Sequence, residues 1–319
     1  MEIRLRRNKN QASIPSIGIG AFLFLPHFHF IAIYFYLISN YDSSFCRFSP
    51  VSNLISRNMF QNQVIWITGS SSGLGKYMAF EFAKQGAKLA LSARRVDKLA
   101  EVLKKVQELG AEGLVIPCDV MEESEIEKAI REVVQHFGKL DVVIANAGFG
   151  VVGKIEELTS KEWRRQMDIN VTGLAMTAKY AIPYLKKSQG RLALIGSVAA
   201  YIPNPKTGAY GASKAAVRSI GQTLQLELKG TGVSCTVIHP GFVNSDITRV
   251  DNDGGFHPDA VDPRPKNLMW PTDKAAKVIV RAISKRKKSF VFTGHGRVIV
   301  FIGQHFPKIG EWLIGKMSN

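Results

Sequence analysis

Cysteine is scarce in this chain of 319 residues, which has only Cys46, Cys118 and Cys235. Three cysteines are too few for a disulfide scaffold, and no two of them stand at the short spacing of a structural zinc site. No metal site is therefore expected. Such sparing use of cysteine is typical of a reducing compartment and predicts a cytoplasmic location.

Acidic residues are also few, since 26 Asp and Glu stand against 42 Lys and Arg, a net charge of +16. A basic balance favours nucleic acid, anionic lipid or a phosphorylated cofactor as partner. No nucleic-acid-binding motif accompanies the charge, so no nucleic-acid partner is expected. With 45% hydrophobic and 21% charged residues the chain can bury a large core, which excludes a disordered or low-complexity protein.

Residues 1–58 form an extension of different composition. A basic stretch from Arg4 to Lys9 precedes an apolar run over residues 14–38, long enough for the roughly 20 residues that span a bilayer. The positive-inside rule would keep the N-terminus cytoplasmic and send the following domain across the membrane. The alternative is an over-extended reading frame, because Met59 stands directly before the first predicted strand. A membrane anchor and a misassigned start remain equal alternatives.

From Met59 onward, short apolar runs alternate with helical patterns. Strands are predicted over residues 63–68, 88–92, 114–117, 140–145, 191–196, 233–239 and 289–292. Thr159 and Glu162 form a capping box that opens a long helix, and Thr272 is predicted to cap a later one. Strands that alternate with helices indicate a parallel sheet covered on both faces. The sequence therefore predicts one doubly wound, Rossmann-like α/β domain over residues 59–319, with residues 285–319 as a basic and apolar C-terminal segment.

Several motifs follow the predicted strands. The glycine-rich turn TGSSSGLG at residues 68–75 follows the first strand, where glycines let a backbone approach a pyrophosphate at a helix N-terminus. Further along stand NAG at 146–148, Asn170, Ser197, YGASK at 210–214 and PG at 240–241. In this order they resemble the short-chain dehydrogenase/reductase family over roughly residues 59–292. Ala145 replaces the first Asn of that family's N-N-A-G motif.

The resemblance implies a nicotinamide-dependent oxidoreductase with four catalytic residues, Asn170, Ser197, Tyr210 and Lys214. Tyrosine, with an ordinary pKa of about 10, is a weak acid–base group near neutrality. Lys214 lies one helical turn after Tyr210, and its charge is expected to lower the pKa of the phenol. By resemblance, Lys214 also holds the nicotinamide ribose and Asn170 holds a water for proton supply. Ser197 is expected to orient the substrate oxygen.

The cofactor site is expected at residues of the glycine turn and of the loops after the later strands. These residues are Gly69, Ser71, Ser72, Gly73, Leu74, Gly75, Arg94, Arg95, Asp119, Val120, Asn146, Ala147, Gly148, Tyr210, Lys214, Pro240, Gly241, Val243 and Ser245. An NAD enzyme usually places an acidic residue at the end of the second strand. Ala93 stands there instead, followed by Arg94 and Arg95, whose guanidinium groups suit a 2′-phosphate. We therefore expect NADP(H) to be preferred over NAD(H), with a role of Arg95 as the start of a solvated helix as the alternative.

Large apolar residues suggest an apolar substrate, possessing a carbonyl or alcohol and resembling a lipid or steroid. They are Phe149, Val151, Val152, Tyr201, Phe256, Leu268, Met269 and Trp270. The resemblance implies a homodimer or homotetramer. Residues 297–317 mix apolar groups with lysines, so this tail is expected either to meet an anionic membrane surface or to cover the active site, with ordinary packing as the alternative.

Two other functions are alternatives to the nicotinamide-dependent oxidoreductase. A non-catalytic, cofactor-binding regulatory protein would not need all four catalytic residues. A nucleotide-sugar epimerase or dehydratase needs a larger C-terminal substrate domain than the residues after the seventh strand provide. His239, at the end of the sixth predicted strand, is interpreted as a core histidine rather than a catalyst.

Overall fold

A computed structural model describes residues 59–318. The predicted anchor, and the alternative of a misassigned start, fall on residues 1–58 and lie outside the described residues. Within the described part of the chain, no helix combines the length and the apolar character needed to cross a membrane.

Seven parallel strands form one sheet in the order β3-β2-β1-β4-β5-β6-β7. The strands are β1 Val64–Thr68, β2 Lys88–Ala93, β3 Gly113–Pro117, β4 Val142–Ala145, β5 Arg191–Ile195, β6 Ser234–Ile238 and β7 Ser289–Phe290. Their bounds differ from the predicted ones by at most two residues. This order, with helices on both faces, is the doubly wound Rossmann-like fold that the sequence predicts.

The helices between the strands cover both faces of the sheet. They are α1 Gly73–Lys84, α2 Val96–Glu108, α3 Glu123–Phe137, α4 Ser160–Met167, α5 Leu174–Ser188, α6 Gly208–Glu227 and α7 Thr272–Ser284, with α8 Gly294–His305 and α9 Pro307–Ser318 after β7. The capping box at the start of α4 is confirmed, since Thr159 and Glu162 exchange both hydrogen bonds. The predicted cap at Thr272 is wrong. Pro271 holds the capping position, and the Thr272 hydroxyl instead donates to the carbonyl of Asn244.

The continuous apolar sequence of β1 is explained by burial on both faces. Ile65 and Ile67 contribute to one core, whereas Val64 and Trp66 contribute to the core on the opposite face. All five residues of β1 are buried. Because side chains alternate across a strand, a strand buried on both sides has no polar face to show in its sequence.

The C-terminal segment folds into α8 and α9, and these helices pack against the loop that follows β5. A methyl group added at Gly303 would collide with the backbone of Tyr201, and one at Gly310 would lie 2.8 Å from the Ile202 side chain. The two helices nevertheless leave large apolar side chains exposed: Phe301, Phe306, Ile309 and Trp312. The segment therefore packs against the domain on one side and leaves apolar side chains exposed to solvent elsewhere.

Candidate active site

A cavity opens at the carboxyl ends of the strands, beside β1 and β4, where the strand order reverses. Ligands of doubly wound sheets bind at this place. Of the residues predicted for the cofactor, all except Gly75 line the cavity, together with Ser197. Asn170 does not line it and lies immediately behind Gly148.

Two glycines of the turn after β1 are required by the backbone itself. Gly69 has φ +65°, and a methyl group there would lie 2.7 Å from the Cα of Ala147. A methyl group at Gly75 would collide with the carbonyl of Gly69, so Gly75 shapes the turn from behind rather than facing the cavity. The turn therefore leaves an uncovered backbone at the N-terminus of α1, which is a suitable cradle for a pyrophosphate.

Asn146 joins the ends of β1 and β4. Its side-chain amide donates to the carbonyls of Thr68 at 2.9 Å and Gly69 at 3.0 Å. The backbone amides of Asn146 and Ala147 both donate to the Thr68 hydroxyl at 3.1 Å. Asn146 thus holds the glycine turn against the loop after β4, and its contribution to a cofactor site is through position.

Asn170 stands in a π-helical turn, Asp168–Gly173, that joins α4 to α5. Its side chain is fully buried and donates to Phe149 O and to the Ser213 hydroxyl, both at 3.0 Å, while its Oδ1 accepts from Phe149 N. Such turns often occur at functional sites. The capping box at Thr159 predicts one long helix in this region and does not reveal the π turn, which has no propensity signal of its own.

Tyr210 and Ser197 meet at the inner end of the cavity. Burial raises the pKa of Tyr210, while a side-chain hydrogen bond with Ser197 and the positive charge of Arg264 lower it. Ser197 also caps the short helix Val198–Ala200, since its hydroxyl accepts from the amide of Ala199 at 3.1 Å. The serine is thus held by its own loop while it contacts the phenol.

The expected lowering of the Tyr210 pKa by the charge of Lys214 is not seen in the structure. Its Nζ lies 5.7 Å from the centre of the Tyr210 ring and donates to Ile195 O at 2.9 Å. Burial lowers the pKa of Lys214 to about 8, and the positive charge near Tyr210 that lowers the phenol pKa comes from Arg264. The pKa of Tyr210 is raised overall, contrary to the expected lowering by Lys214, because removal of the phenol from water dominates.

Two arginines lie at the opposite end of the cavity, after β2. Arg95 donates to the hydroxyls of Ser71 at 3.2 Å and Ser72 at 3.1 Å, and its guanidinium lies 5.9 Å from the Phe256 ring. Arg94 lies 3.7 Å from the Asp119 carboxylate, with its side chain half exposed. Arg95 therefore stands against the glycine turn, whereas Arg94 lies on the side of Asp119, and both line the cavity.

The apolar residues predicted for the substrate do not all reach the cavity. Phe149 and Phe256 line it, whereas Val151, Val152, Tyr201, Leu268, Met269 and Trp270 do not. Trp270 packs against Phe292, with ring centres 5.5 Å apart. Val152 and Leu268 are exposed outside the cavity. The lining residues that the sequence did not indicate include Ile247, Val250, Arg165 and Arg264.

His239 is buried beside the loop of Ser197. Its Nδ1 lies 3.2 Å from Ser197 O and its Nε2 lies 3.2 Å from the Tyr201 hydroxyl. Burial lowers the pKa of His239 to about 4, so the ring is neutral at physiological pH. Both nitrogens have partners, as the interpretation as a core histidine requires. Within residues 59–318, no group of three His, Cys, Asp or Glu side chains is placed to hold a metal ion.

Sequence comparison identifies a family model and named proteins that are similar to this chain. A family model described as short chain dehydrogenase matches residues 63–254. The chain is 34% identical to the Arabidopsis thaliana protein named 11-beta-hydroxysteroid dehydrogenase-like 2, over 85% of this chain and 87% of that protein. It is 31% identical to the 11-beta-hydroxysteroid dehydrogenase A of Sesamum indicum, over 92% of this chain and 86% of that protein.

Two solved structures share the fold. An alcohol dehydrogenase from the archaeon Thermococcus sibiricus, complexed with 5-hydroxy-NADP, superposes with a TM-score of 0.64 at 29% identity over 73% of this chain and 97% of that one. A short-chain dehydrogenase/reductase from Burkholderia phymatum, in complex with NAD, gives a TM-score of 0.69 at 24% identity over 76% and 93% of the two chains. With the family model spanning more than half of its length, the chain belongs to the short-chain dehydrogenase family of oxidoreductases.

Proposed function

We propose that this oxidoreductase is NADP(H)-dependent and interconverts a carbonyl and an alcohol on an apolar, lipid- or steroid-like substrate. The observation that carries the proposal is the meeting of Tyr210 and Ser197, with Lys214 buried behind them, at the inner end of a cavity whose outer end holds two arginines. The hydroxysteroid dehydrogenase names of two relatives support the substrate class.

The residues present fit a dinucleotide. The positive φ of Gly69 turns the chain into α1, whose first backbone amides have no partner within the helix, and a methyl group at Gly69 would collide with Ala147 and displace the turn. Gly69, Ser71, Ser72, Gly73 and Leu74 would hold the pyrophosphate. Pro240, Gly241, Val243 and Ser245 would hold the nicotinamide end. When bound, the nicotinamide supplies or accepts a hydride.

Tyr210 is assigned the proton transfer. Its phenol would donate a proton to the carbonyl oxygen during reduction, and its phenolate would accept a proton from the alcohol during oxidation. Ser197 would hold that oxygen in place by a second hydrogen bond and stabilise its developing charge. Burial of Tyr210 keeps the phenol protonated, which suits it to reduction.

Lys214 and Asn170 are assigned supporting roles. The ammonium of Lys214 stands behind Gly148, 3.6 Å from a methyl group placed there, where it would hold the nicotinamide ribose. Its pKa of about 8 leaves it mostly charged at neutral pH. Asn170 would maintain the loop of Phe149 and the start of a proton path beside Lys214.

The arginine pair supports NADP(H) as the preferred cofactor. Arg94 and Arg95 present two cations where NAD enzymes usually place a carboxylate, and Ala93 leaves room at the strand end. One solved structure of this fold is a complex with 5-hydroxy-NADP and the other a complex with NAD. The fold alone therefore accommodates either cofactor, and the preference must come from residues such as the arginine pair. We assign a cytoplasmic location, a homodimeric or homotetrameric state and a C-terminal contact with anionic membrane as parts of the same proposal.

The test is a panel of ketones, aldehydes and alcohols of rising chain length, assayed with NADPH and NADP⁺ on the full chain and on Tyr210→Phe. Turnover that depends on Tyr210 and rises with apolar chain length supports the proposal. Tyr77→Phe, an exposed tyrosine on α1, is the matched control. Cofactor binding without turnover of any substrate would favour the regulatory protein instead.

A further inference from the structure

The loop between β6 and α7 contains an ion pair between Asp262 and Arg264, and the arginine lines the cavity. Asp262 accepts from Arg264 Nε at 2.9 Å and from Arg264 Nη2 at 2.6 Å. Arg264 is flanked by Pro263 and Pro265, whose fixed φ angles limit the freedom of the loop. The Arg264 side chain is only 17% exposed, so this pair is held more firmly than a surface ion pair.

The same guanidinium also forms hydrogen bonds with the segment that follows β6. Arg264 Nη1 donates to Val243 O at 3.1 Å, and Nη2 reaches Ser245 O at 3.4 Å. The base of the loop is closed separately, by the bridge between Val243 and Trp270. Arg264 therefore adds a second attachment, which draws the middle of the loop onto residues 243–245.

Arg264 lines the cavity that also holds Tyr210. Its positive charge lowers the pKa of the phenol against the effect of burial. Hydrogen bonding to Arg264 in turn holds the pKa of Asp262 below its ordinary value, so both members are ionised at neutral pH. Charges in a partly dry cavity interact more strongly than charges in water.

Other charged groups also face Tyr210 and its cavity. Lys214 on α6 bonds to Ile195 O, and His239 after β6 is neutral because burial lowers its pKa to about 4. The remaining charged side chains that line the cavity are Arg94, Arg95, Asp119, Arg165 and Asp246. Among these arginines, Arg264 is the one whose positive charge lowers the pKa of the Tyr210 phenol.

We propose that Arg264 is a positioning residue held in place by Asp262: its Nη1 and Nη2 atoms form a fork that secures segment 243–245, assigned above to the nicotinamide, and its charge faces the cavity that contains Tyr210. The inference rests on the proposed role of Tyr210 as proton donor and acceptor. The two halves of the role separate experimentally, because a lysine keeps the charge of Arg264 but cannot reproduce its fork.

The experiment measures kcat/KM for alcohol oxidation against pH on the full chain. Oxidation needs the phenolate, so the rate rises with pH to a plateau. Arg264→Gln removes a positive charge and should move the midpoint to higher pH, whereas Asp262→Asn removes a negative charge and should move it to lower pH. The two shifts should have opposite signs, because the two variants remove charges of opposite sign.

Arg264→Lys provides the second readout. It should leave the midpoint near that of the unchanged chain but raise the Kd for NADPH, measured by nicotinamide fluorescence, about tenfold as two carbonyl contacts weaken. Asp262→Asn keeps the fork and should change this Kd by less than threefold. If Arg264→Gln fails to fold by circular dichroism, Asp262→Asn and Arg264→Lys still decide the question.

Midpoints that stay in place, or shift in the same direction in Arg264→Gln and Asp262→Asn, would overturn the charge role. An unchanged Kd in Arg264→Lys would overturn the positioning role. Failure of the proposed function has a different signature: Tyr210→Phe would then retain near-normal turnover, while the effect of Arg264→Lys on cofactor binding would remain readable.

Discussion

The cofactor preference is open to a quantitative test at the end of β2. Arg95 already donates to the hydroxyls of Ser71 and Ser72, and Arg94 stands near Asp119 with its side chain half exposed. A hydrogen bond to a charged group contributes roughly 1.5–3 kcal/mol, and exposure reduces the effective value to about 1.4 kcal/mol for each arginine. That free energy is about a tenfold change in Kd.

Arg94→Gln and Arg95→Gln should therefore each weaken NADPH binding about tenfold, and the double variant about a hundredfold, while NADH binding changes by less than twofold. The measurement is Kd from nicotinamide fluorescence at fixed ionic strength, because salt screens exposed charges. Arg131→Gln is the matched control, since Arg131 is an exposed arginine on α3 that pairs with Glu127 and does not line the cavity.

A stronger form of the test reverses the preference. Ala93 ends β2 and lines the cavity, so Ala93→Asp places a carboxylate where a 2′-phosphate would lie and where a ribose hydroxyl could donate to it. Combined with Arg94→Gln, it should make NADH the better cofactor. Equal kcat/KM for NADPH and NADH in the unchanged chain, or equal losses for both cofactors in the arginine variants, would refute the reasoning.

Three further outcomes follow from the site and the fold. Tyr210→Phe should lower kcat by a factor of about 10² to 10⁴ in steady-state assays while the Kd for NADPH stays within a few-fold, since the proton serves chemistry rather than binding; near-normal kcat would contradict the role. Gly69→Ala should lower the free energy of unfolding in urea by more than Gly110→Ala does, because both have positive φ but only Gly69 would also collide with Ala147; equal losses would contradict the close approach. A chain that begins at Met59 should fold and keep its activity, because all proposed site residues follow it, and mass spectrometry of the native N-terminus decides between the two origins of residues 1–58.

Much of the fold was predictable because strong local signals agree with the long-range arrangement. The apolar runs of β1 and β4 are too short for helices and are bounded by turn residues, so their type and order follow from the sequence. The capping box at Thr159 was predictable for the same reason, since both partners lie within one turn. Thr272 shows the limit of such local reasoning: its hydroxyl serves Asn244, a partner 28 residues away.

The arrangement around Tyr210 was predictable only in part. Residue order identifies Ser197, Tyr210 and Lys214 as a set, but it does not reveal whether the phenol lies in water or is buried. Burial decides the direction of the pKa change, and the charge that opposes it comes from Arg264, in the loop between β6 and α7. Electrostatic tuning is therefore a property of the assembled loops rather than of the spacing between Tyr210 and Lys214.

The C-terminal helices explain why composition alone left the tail undecided. Gly303 and Gly310 fit closely against Tyr201 and Ile202, so one side of the helix pair covers the loop of Ser197. The other side exposes Trp312 and the apolar residues near it. A membrane contact on the exposed side would therefore lie across the helix pair from the loop that contains Ser197. Removal of residues 297–319 should then change vesicle binding and the ratio of long-chain to short-chain ketone activity together, whereas a purely structural tail would change stability alone.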